Sequence, residues 1–384
     1  MRGRVHRMQV LFLLPVPSQV RFHKRMHGLL AAGWDASCVY FERDYFEGCP
    51  LPVESASLGH IQHGRYFMRM WHLLRALPTV RRHACAADVL YAFGLDMALL
   101  AVLARGWKYR IPLVYEVGDV FQYMRRTSLS RAARLLERMV LRLISLVVPV
   151  TRGFAEEYYI PTQRVSPSRI LVLENKVPAG VADNEIRQQV PSTQPVLTIG
   201  RFGMIRDRIS WEILKEIVRQ GGGRVRVRLH GFFMGLDGYE EDLAAIPELD
   251  YRGPYKNPDD LVDVYDGIDI SWVADSSSGG PEARWTRSNR FYEACAFARP
   301  MLVYSHQADG FAADEHGLGL LLDMSRPTEC VRSVLSITDA DLVDWHRNML
   351  SLPREVYELT NDHEVLSERL CALVKCSHAS QESE

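Results

Sequence analysis

Ile268-Asp-Ile-Ser-Trp-Val273, Asp275-Ser-Ser-Ser-Gly279-Gly280, Ser288-Asn289-Arg290-Phe-Tyr-Glu293-Ala-Cys-Ala-Phe297 and Pro300-Met-Leu-Val303 follow one another in the second half of the chain. An apolar run of strand length leads into a loop of serine and glycine, then a helical segment, then a second apolar run. That order predicts a strand, a crossover helix and a parallel strand. Ser288 suits the cap of a helix starting at Asn289, because its hydroxyl can accept a free backbone N–H of the first turn.

The same alternation extends on both sides. Val196–Ile199, Val225–His230 and Leu249–Arg252 read as further strands, with helices over Trp211–Arg219, Leu236–Ile246 and Asp259–Tyr265. In the first half, strands are expected at Val10–Leu14, Ala36–Phe41, Val89–Tyr91, Leu113–Glu116 and Leu146–Val150, and helices at Val20–Ala32, Arg65–Leu77, Met97–Arg105 and Leu129–Ile144. Gly33 stands where a helix-ending glycine takes the left-handed conformation without strain. Around 177–194 the periodicity fails and prolines, serine and threonine gather, as in a linker. The expected organisation is α/β: a Rossmann-like domain over 1–180, a second over 195–340, the two facing across a cleft, and a helical tail over 341–384 that packs back.

The chain has 384 residues, 47% hydrophobic and 24% charged, within the range of globular proteins. Seven scattered cysteines show no Cys-x-x-Cys pair, which fits a reducing cytoplasm and no metal. No apolar run reaches the ~18–20 residues of a membrane span. The basic start and the apolar run after it read as a first strand, not a signal peptide, because Pro15, Pro17 and Arg21 stand where a cleavage site would fall. Charge divides sharply: residues 1–180 carry 25 basic against 13 acidic side chains, the remainder 21 against 34. A basic half suits an anionic surface, although solvated helix faces would look the same.

Ligands of doubly wound sheets sit beyond the carboxyl ends of the strands. After Val196–Ile199 comes Gly200-Arg201-Phe-Gly203-Met-Ile-Arg206-Asp-Arg208. Glycine admits an anion close to the backbone, and guanidinium forks match phosphate oxygens, so the segment suits a diphosphate held without a metal. An arginine-rich surface turn is the competing reading. In the opening stretch, Glu293 lies one turn into its helix, where a carboxylate can accept both hydroxyls of a ribose; pairing with Arg290 or Arg299 is the alternative.

With these motifs in hand, the chain resembles the bacterial family 4 glycosyltransferases of the GT-B fold. Gly-Arg after the first strand of the second domain, and Ser-Asn-Arg-Phe-Tyr-Glu-Ala-x4-Arg-Pro before an apolar strand, carry the likeness. The resemblance implies a retaining, metal-independent hexosyltransferase using a nucleoside-diphosphate sugar as donor and no cofactor. It implies that Gly200, Arg201, Arg206, Arg208, Asn289, Arg290 and Glu293 hold the nucleotide, with Arg201 and Arg206 on the diphosphate and Glu293 on the ribose. The acceptor would be a glycan or a lipid-diphosphate-linked sugar in exopolysaccharide, capsule or lipopolysaccharide assembly.

The departures fall on the sugar side. Members often have a second glutamate eight positions earlier, where this chain has Trp285, and Glu282 is the nearest acid. The phosphate-loop lysine is absent, and the turn Pro15-Val-Pro17-Ser18 lacks glycine. Val114-Tyr115-Glu116-Val117-Gly118-Asp119 resembles the family segment beside the transferred sugar, so Asp119 and Glu282 are the candidate catalytic residues; Asp119 as a helix cap is the plain alternative. Arg65, Arg69, Arg75, Arg81, Arg82, Arg125, Arg126, Arg131, Arg134, Arg138 and Arg142 would meet an anionic membrane, giving a cytoplasmic protein peripheral to its inner face. A nucleotide-sugar 2-epimerase of the same fold, or a degenerate binding subunit, remain the rival functions. A dehydrogenase lacks its Gly-x-Gly-x-x-Gly after a strand, and nucleic-acid binding lacks a stacking platform.

Overall fold

A computed structural model describes residues 7–42, 50–61, 66–106, 111–120, 128–277 and 281–382. The chain divides into two compact units, Met1–Glu174 with Asn361–Glu384, and Asn175–Thr360. The proline-rich stretch after 177 thus lies within the second unit.

The first unit is built on β1 (Gln9–Leu14), β2 (Asp35–Glu42), β3 (Glu54–His60), β4 (Val89–Phe93), β5 (Leu113–Val117) and β6 (Leu146–Pro149). They pair in parallel in the order β3-β2-β1-β4-β5-β6. Residues 10–14 have no exposed surface, because helices cover both faces of a parallel sheet. Gly33 follows the helix Val20–Ala31 with φ +87°, as its position in the sequence implied. The edge strand β3 is mostly exposed, and its Glu-Ser-Ala-Ser-Leu-Gly-His has no apolar run, so sequence reading passed over it.

The last helix, Asp362–Glu382, returns to this unit. Leu366, Leu370 and Val374 join the core of Val10, Phe12, Leu14 and Tyr91. Trp34 Nε1 donates to Ser367 Oγ at 2.9 Å. Gly28 lacks a Cβ because one would lie 2.1 Å from the His363 ring.

The second unit repeats the plan with β7 (Leu197–Ile205), β8 (Val225–Phe233), β9 (Leu249–Tyr251), β10 (Ile270–Trp272), β11 (Met301–Tyr304) and β12 (Gly319–Leu322). Its parallel order is β12-β11-β10-β7-β8-β9, the same winding read from the other edge. In both units the first strand lies between the second and the fourth. That leaves a topological switch point between β1 and β4, and another between β7 and β10, the places where such sheets open a crevice. The unit is closed where the chain passes in and out of it: Val177 N donates to Tyr357 O at 2.8 Å and Leu359 N to Val177 O at 2.9 Å.

Candidate functional site

The loop expected after residue 199 begins later. β7 continues through Ile205 because β8 runs beside it in register as far as Ile205↔Phe233. β10 pairs only with Ile199 and Gly200, so the β7–β8 ribbon runs on past the end of β10. Gly200 and Arg201 are therefore strand residues at the switch point. A Cβ on Gly200 would come within 2.4 Å of Phe202 Cζ and 2.7 Å of Ile268 Cδ1, so tight packing requires this glycine. Gly203, at φ +84°, is the glycine with open space around it.

Arg201 is 1% exposed. Its Nη1 donates to Phe202 O at 2.5 Å and its Nη2 to Met204 O at 3.1 Å, with Asp275 Oδ2 3.8 Å away. Burial, then the charge of Arg290, push this guanidinium down to about 9, against the pull of Asp275 and Asp207. Arg290, in the first turn of the helix Asn289–Ala296, donates to Phe202 O, Val273 O and Asp275 Oδ2, each at 3.3 Å. Burial works against the Asp275 charge, yet Arg290, the Ser277 hydroxyl and Arg201 hold that carboxyl below its ordinary value.

Arg206 and Arg208 are exposed. Arg206 Nε donates to Ser277 Oγ at 3.0 Å, and Arg208 reaches Asp237 O at 3.3 Å and Glu212 at 3.8 Å. Between them, Asp207 is buried as a knot. It caps the helix Arg208–Gly221 by accepting from Ile209 N at 3.2 Å, and accepts from Ser210 Oγ, Ser276 N and Ser276 Oγ at 2.6 Å. Asp207 directly ahead of an apolar-periodic stretch is a helix-start signal visible in the sequence.

Ser288 caps the helix Asn289–Ala296 as expected, accepting from Phe291 N at 3.3 Å. Its own N–H donates to Asp309, whose fully buried carboxyl is pushed up to about 6 by desolvation despite that help. Asn289 is exposed, and its Oδ1 takes a hydrogen bond from Asn175. Glu293 is 3% exposed; Oε1 accepts from Asn257 Nδ2 at 2.6 Å and Oε2 from Tyr265 OH at 3.4 Å. The Tyr265 ring stacks on Phe297 at 4.6 Å, which fixes it beneath the carboxylate. Neither Asn257 nor Tyr265 was singled out from the sequence, since both come from elements distant in the chain.

Asp119 lies exposed in the first unit just after β5. Glu282 belongs to the turn Pro281–Arg284, but its side chain, like those of Arg65, Arg69, Arg125 and Arg126, falls outside the described residues. Beside Asp119 lies a buried cluster that sequence reading missed. Glu116 accepts from Tyr91 OH at 2.6 Å and Arg25 Nε at 3.2 Å, while Arg25 Nη2 donates to Leu173 O at 2.8 Å. Arg21 approaches Glu116 at 3.7 Å and lies against Gly118, where a Cβ would sit 1.7 Å from Nη1.

Residues 16–176 match the family model described as the Glycosyl transferase 4-like domain. The succinoglycan biosynthesis protein ExoL of Rhizobium meliloti is 27% identical over 330 residues, spanning 82% of this chain and 81% of that protein. Anabaena Alr3699/HepE, solved in complex with UDP and glucose, superposes with a TM-score of 0.67 at 14% identity, over 95% of this chain and 100% of the other. WaaG, a glycosyltransferase involved in lipopolysaccharide biosynthesis, superposes with a TM-score of 0.63 at 13% identity, over 94% and 99%. Among the described residues, no helix is long and apolar enough to cross a membrane.

Proposed function

We propose that the chain, whose residues 16–176 match the Glycosyl transferase 4-like domain, acts as a family 4 glycosyltransferase of the GT-B fold, moving a hexose from a nucleoside-diphosphate sugar, with retention and without a metal, to a glycan or lipid-diphosphate acceptor in surface polysaccharide assembly. One observation carries the donor side: Arg201 and Arg290 converge at the β7–β10 switch point, with the buried carboxylate of Glu293 one turn along the same helix as Arg290. In this reading Arg201, Arg206 and Arg290 hold the diphosphate. Gly200, Arg208 and Asn289 shape its surroundings. Glu293, one turn into the helix and hydrogen-bonded to Asn257 and Tyr265, is assigned to the ribose hydroxyls.

Phosphate leaving-group chemistry needs charge placed around the departing diphosphate, and fixed guanidinium groups supply it with little reorganisation. Asp119 and Glu282 are assigned to the sugar and acceptor hydroxyls. The roles of ExoL in succinoglycan biosynthesis and of WaaG in lipopolysaccharide biosynthesis support a polysaccharide role, and the complex of HepE with UDP and glucose supports a nucleotide-sugar donor.

The first unit also supports a peripheral place on an anionic membrane. The helices Tyr66–Ala84, Leu95–Arg105 and Ser128–Leu141 adjoin in that order. They expose Trp71, Leu74, Leu135 and Met139 together with Arg75, Arg81, Arg82 and Arg131, and the exposed Arg142 follows the last of them. Exposed apolar side chains and arginines carried on adjoining helices suit a bilayer with negative headgroups.

The test is thermal stabilisation by UDP, GDP, dTDP and ADP, in the wild type and in Glu293→Ala. The nucleotide that raises the melting temperature of the wild type alone names the donor class, since a ligand stabilises the state it binds. Equal shifts in the variant, or none with any nucleotide, would remove the assignment. Turnover of the donor sugar without acceptor would favour an epimerase, and nucleotide binding without any turnover a binding subunit.

A further inference from the structure

Asp275, on the loop leaving β10, lies where the donor cations meet. Its Oδ2 is 3.3 Å from Arg290 Nη2 and 3.8 Å from Arg201 Nη2. Its Oδ1 accepts from Ser277 N at 2.9 Å and from the Ser277 hydroxyl, and that hydroxyl in turn accepts from Arg206 Nε at 3.0 Å. One carboxylate thus engages all three arginines assigned to the diphosphate, two directly and one through Ser277. Asp207, the neighbouring acid, is committed to its helix cap and to Ser276.

The arginines do not depend on Asp275 for their places. Arg201 is held by the carbonyls of Phe202 and Met204, and Arg290 by those of Phe202 and Val273. The buried Nε atoms of both have no hydrogen-bond partner, so donor capacity is left over. A carboxylate added to cations that are already anchored does little to position them. Its effect is to reduce the positive potential that an incoming diphosphate meets.

We propose that Asp275 is an internal counter-anion, neutralising Arg201 and Arg290 in the unliganded site and giving way to the diphosphate on binding. It sets how tightly the donor is held and how readily the nucleoside diphosphate leaves. The inference rests on the donor-site reading above. Returning to the arginines as the product departs, the carboxylate competes with the product and speeds its release.

The experiment uses Asp275→Asn, which keeps an acceptor for Ser277 and loses the charge, with Asp275→Glu as the charge-retaining control. Calorimetric titration with the nucleoside diphosphate that stabilises the wild type, and with inorganic pyrophosphate, is repeated from about 0.05 to 0.5 M salt, where screening changes most. Asp275→Asn is expected to bind at least about threefold more tightly, with a steeper salt dependence. It should show stronger product inhibition and a lower kcat, whereas Asp275→Glu stays near the wild type. A merely structural ion pair would give weaker binding and a lowered melting temperature. Weaker or unchanged binding by Asp275→Asn, a salt dependence no steeper than the wild type's, or loss of its fold overturns the proposal and leaves the donor site standing. Absence of nucleotide binding by the wild type brings down the donor site itself.

Discussion

Arg201, on a strand, and Arg290, on a helix far along the chain, donate to the same carbonyl oxygen, that of Phe202, at 2.5 and 3.3 Å. The sharing holds two positive charges side by side despite their repulsion. Arg201→Ala should therefore weaken nucleoside-diphosphate binding by roughly ten- to a hundredfold, the scale of losing a charge-assisted hydrogen bond. Arg201→Lys should recover only part of that, because an ammonium cannot span both carbonyls. Titration of both variants checks it, and equal affinity of Arg201→Lys and the wild type would contradict the shared-carbonyl account.

Glu293 depends more on Asn257 than on Tyr265, since the two contacts are 2.6 and 3.4 Å long. Asn257→Ala should raise the donor KM by about five- to thirtyfold, and Tyr265→Phe by under about threefold. A larger effect from the tyrosine would reverse the assignment.

Gly200→Ala tests packing against anion approach. The new methyl collides with Phe202 and Ile268, so stability should fall by about 1–3 kcal/mol, measured by denaturant unfolding. A variant of wild-type stability that has lost nucleotide binding would instead make this glycine a ligand contact.

Asp309 carries a pH dependence whose sign can be fixed. Its folded value, about 6, lies above the ordinary carboxyl value near 4. The contribution of this group to stability is thus fully present below about pH 4 and is lost as pH rises through about 6. Asp309→Asn keeps an acceptor for Ser288 N and removes the buried charge. At pH 7.5 it should be more stable than the wild type by about 1–3 kcal/mol, with the gap closing towards pH 4. A variant less stable than the wild type at pH 7.5 would show that the charge, not the shape, supports the cap.

On the first unit, Leu135→Glu with Met139→Glu should reduce flotation with anionic vesicles while leaving the melting temperature within about 2 °C, because both side chains are exposed. Binding to neutral and anionic vesicles alike, or to neither, would remove the membrane surface.

Strand positions were legible wherever both faces are covered, as at β1, β4 and β5, because burial leaves a continuous apolar run. β3 was not, since an exposed edge needs no such run. The end of β7 was hidden for another reason: it is fixed by β8, a partner outside any local window. Arg201, Arg290 and Glu293 stood out through their motifs. Asn257, Asp275 and the Arg21, Arg25, Tyr91 and Glu116 cluster did not, because their meaning comes from contacts such as Arg25 with Glu116, 91 residues apart.

The pairing of Val177 with Tyr357 and Leu359 brings the two ends of the second unit together. Leu366 and Leu370 complete the first core from beyond the whole second unit, so an unfolded second unit is a long closure loop whose entropy grows with the logarithm of its length. Once Asn175–Thr360 has folded, its two ends are adjacent and that loop is effectively abolished. The second unit would thus act as a molecular clasp, and a destabilising substitution in its core is expected to slow completion of the first core, measured by refolding kinetics.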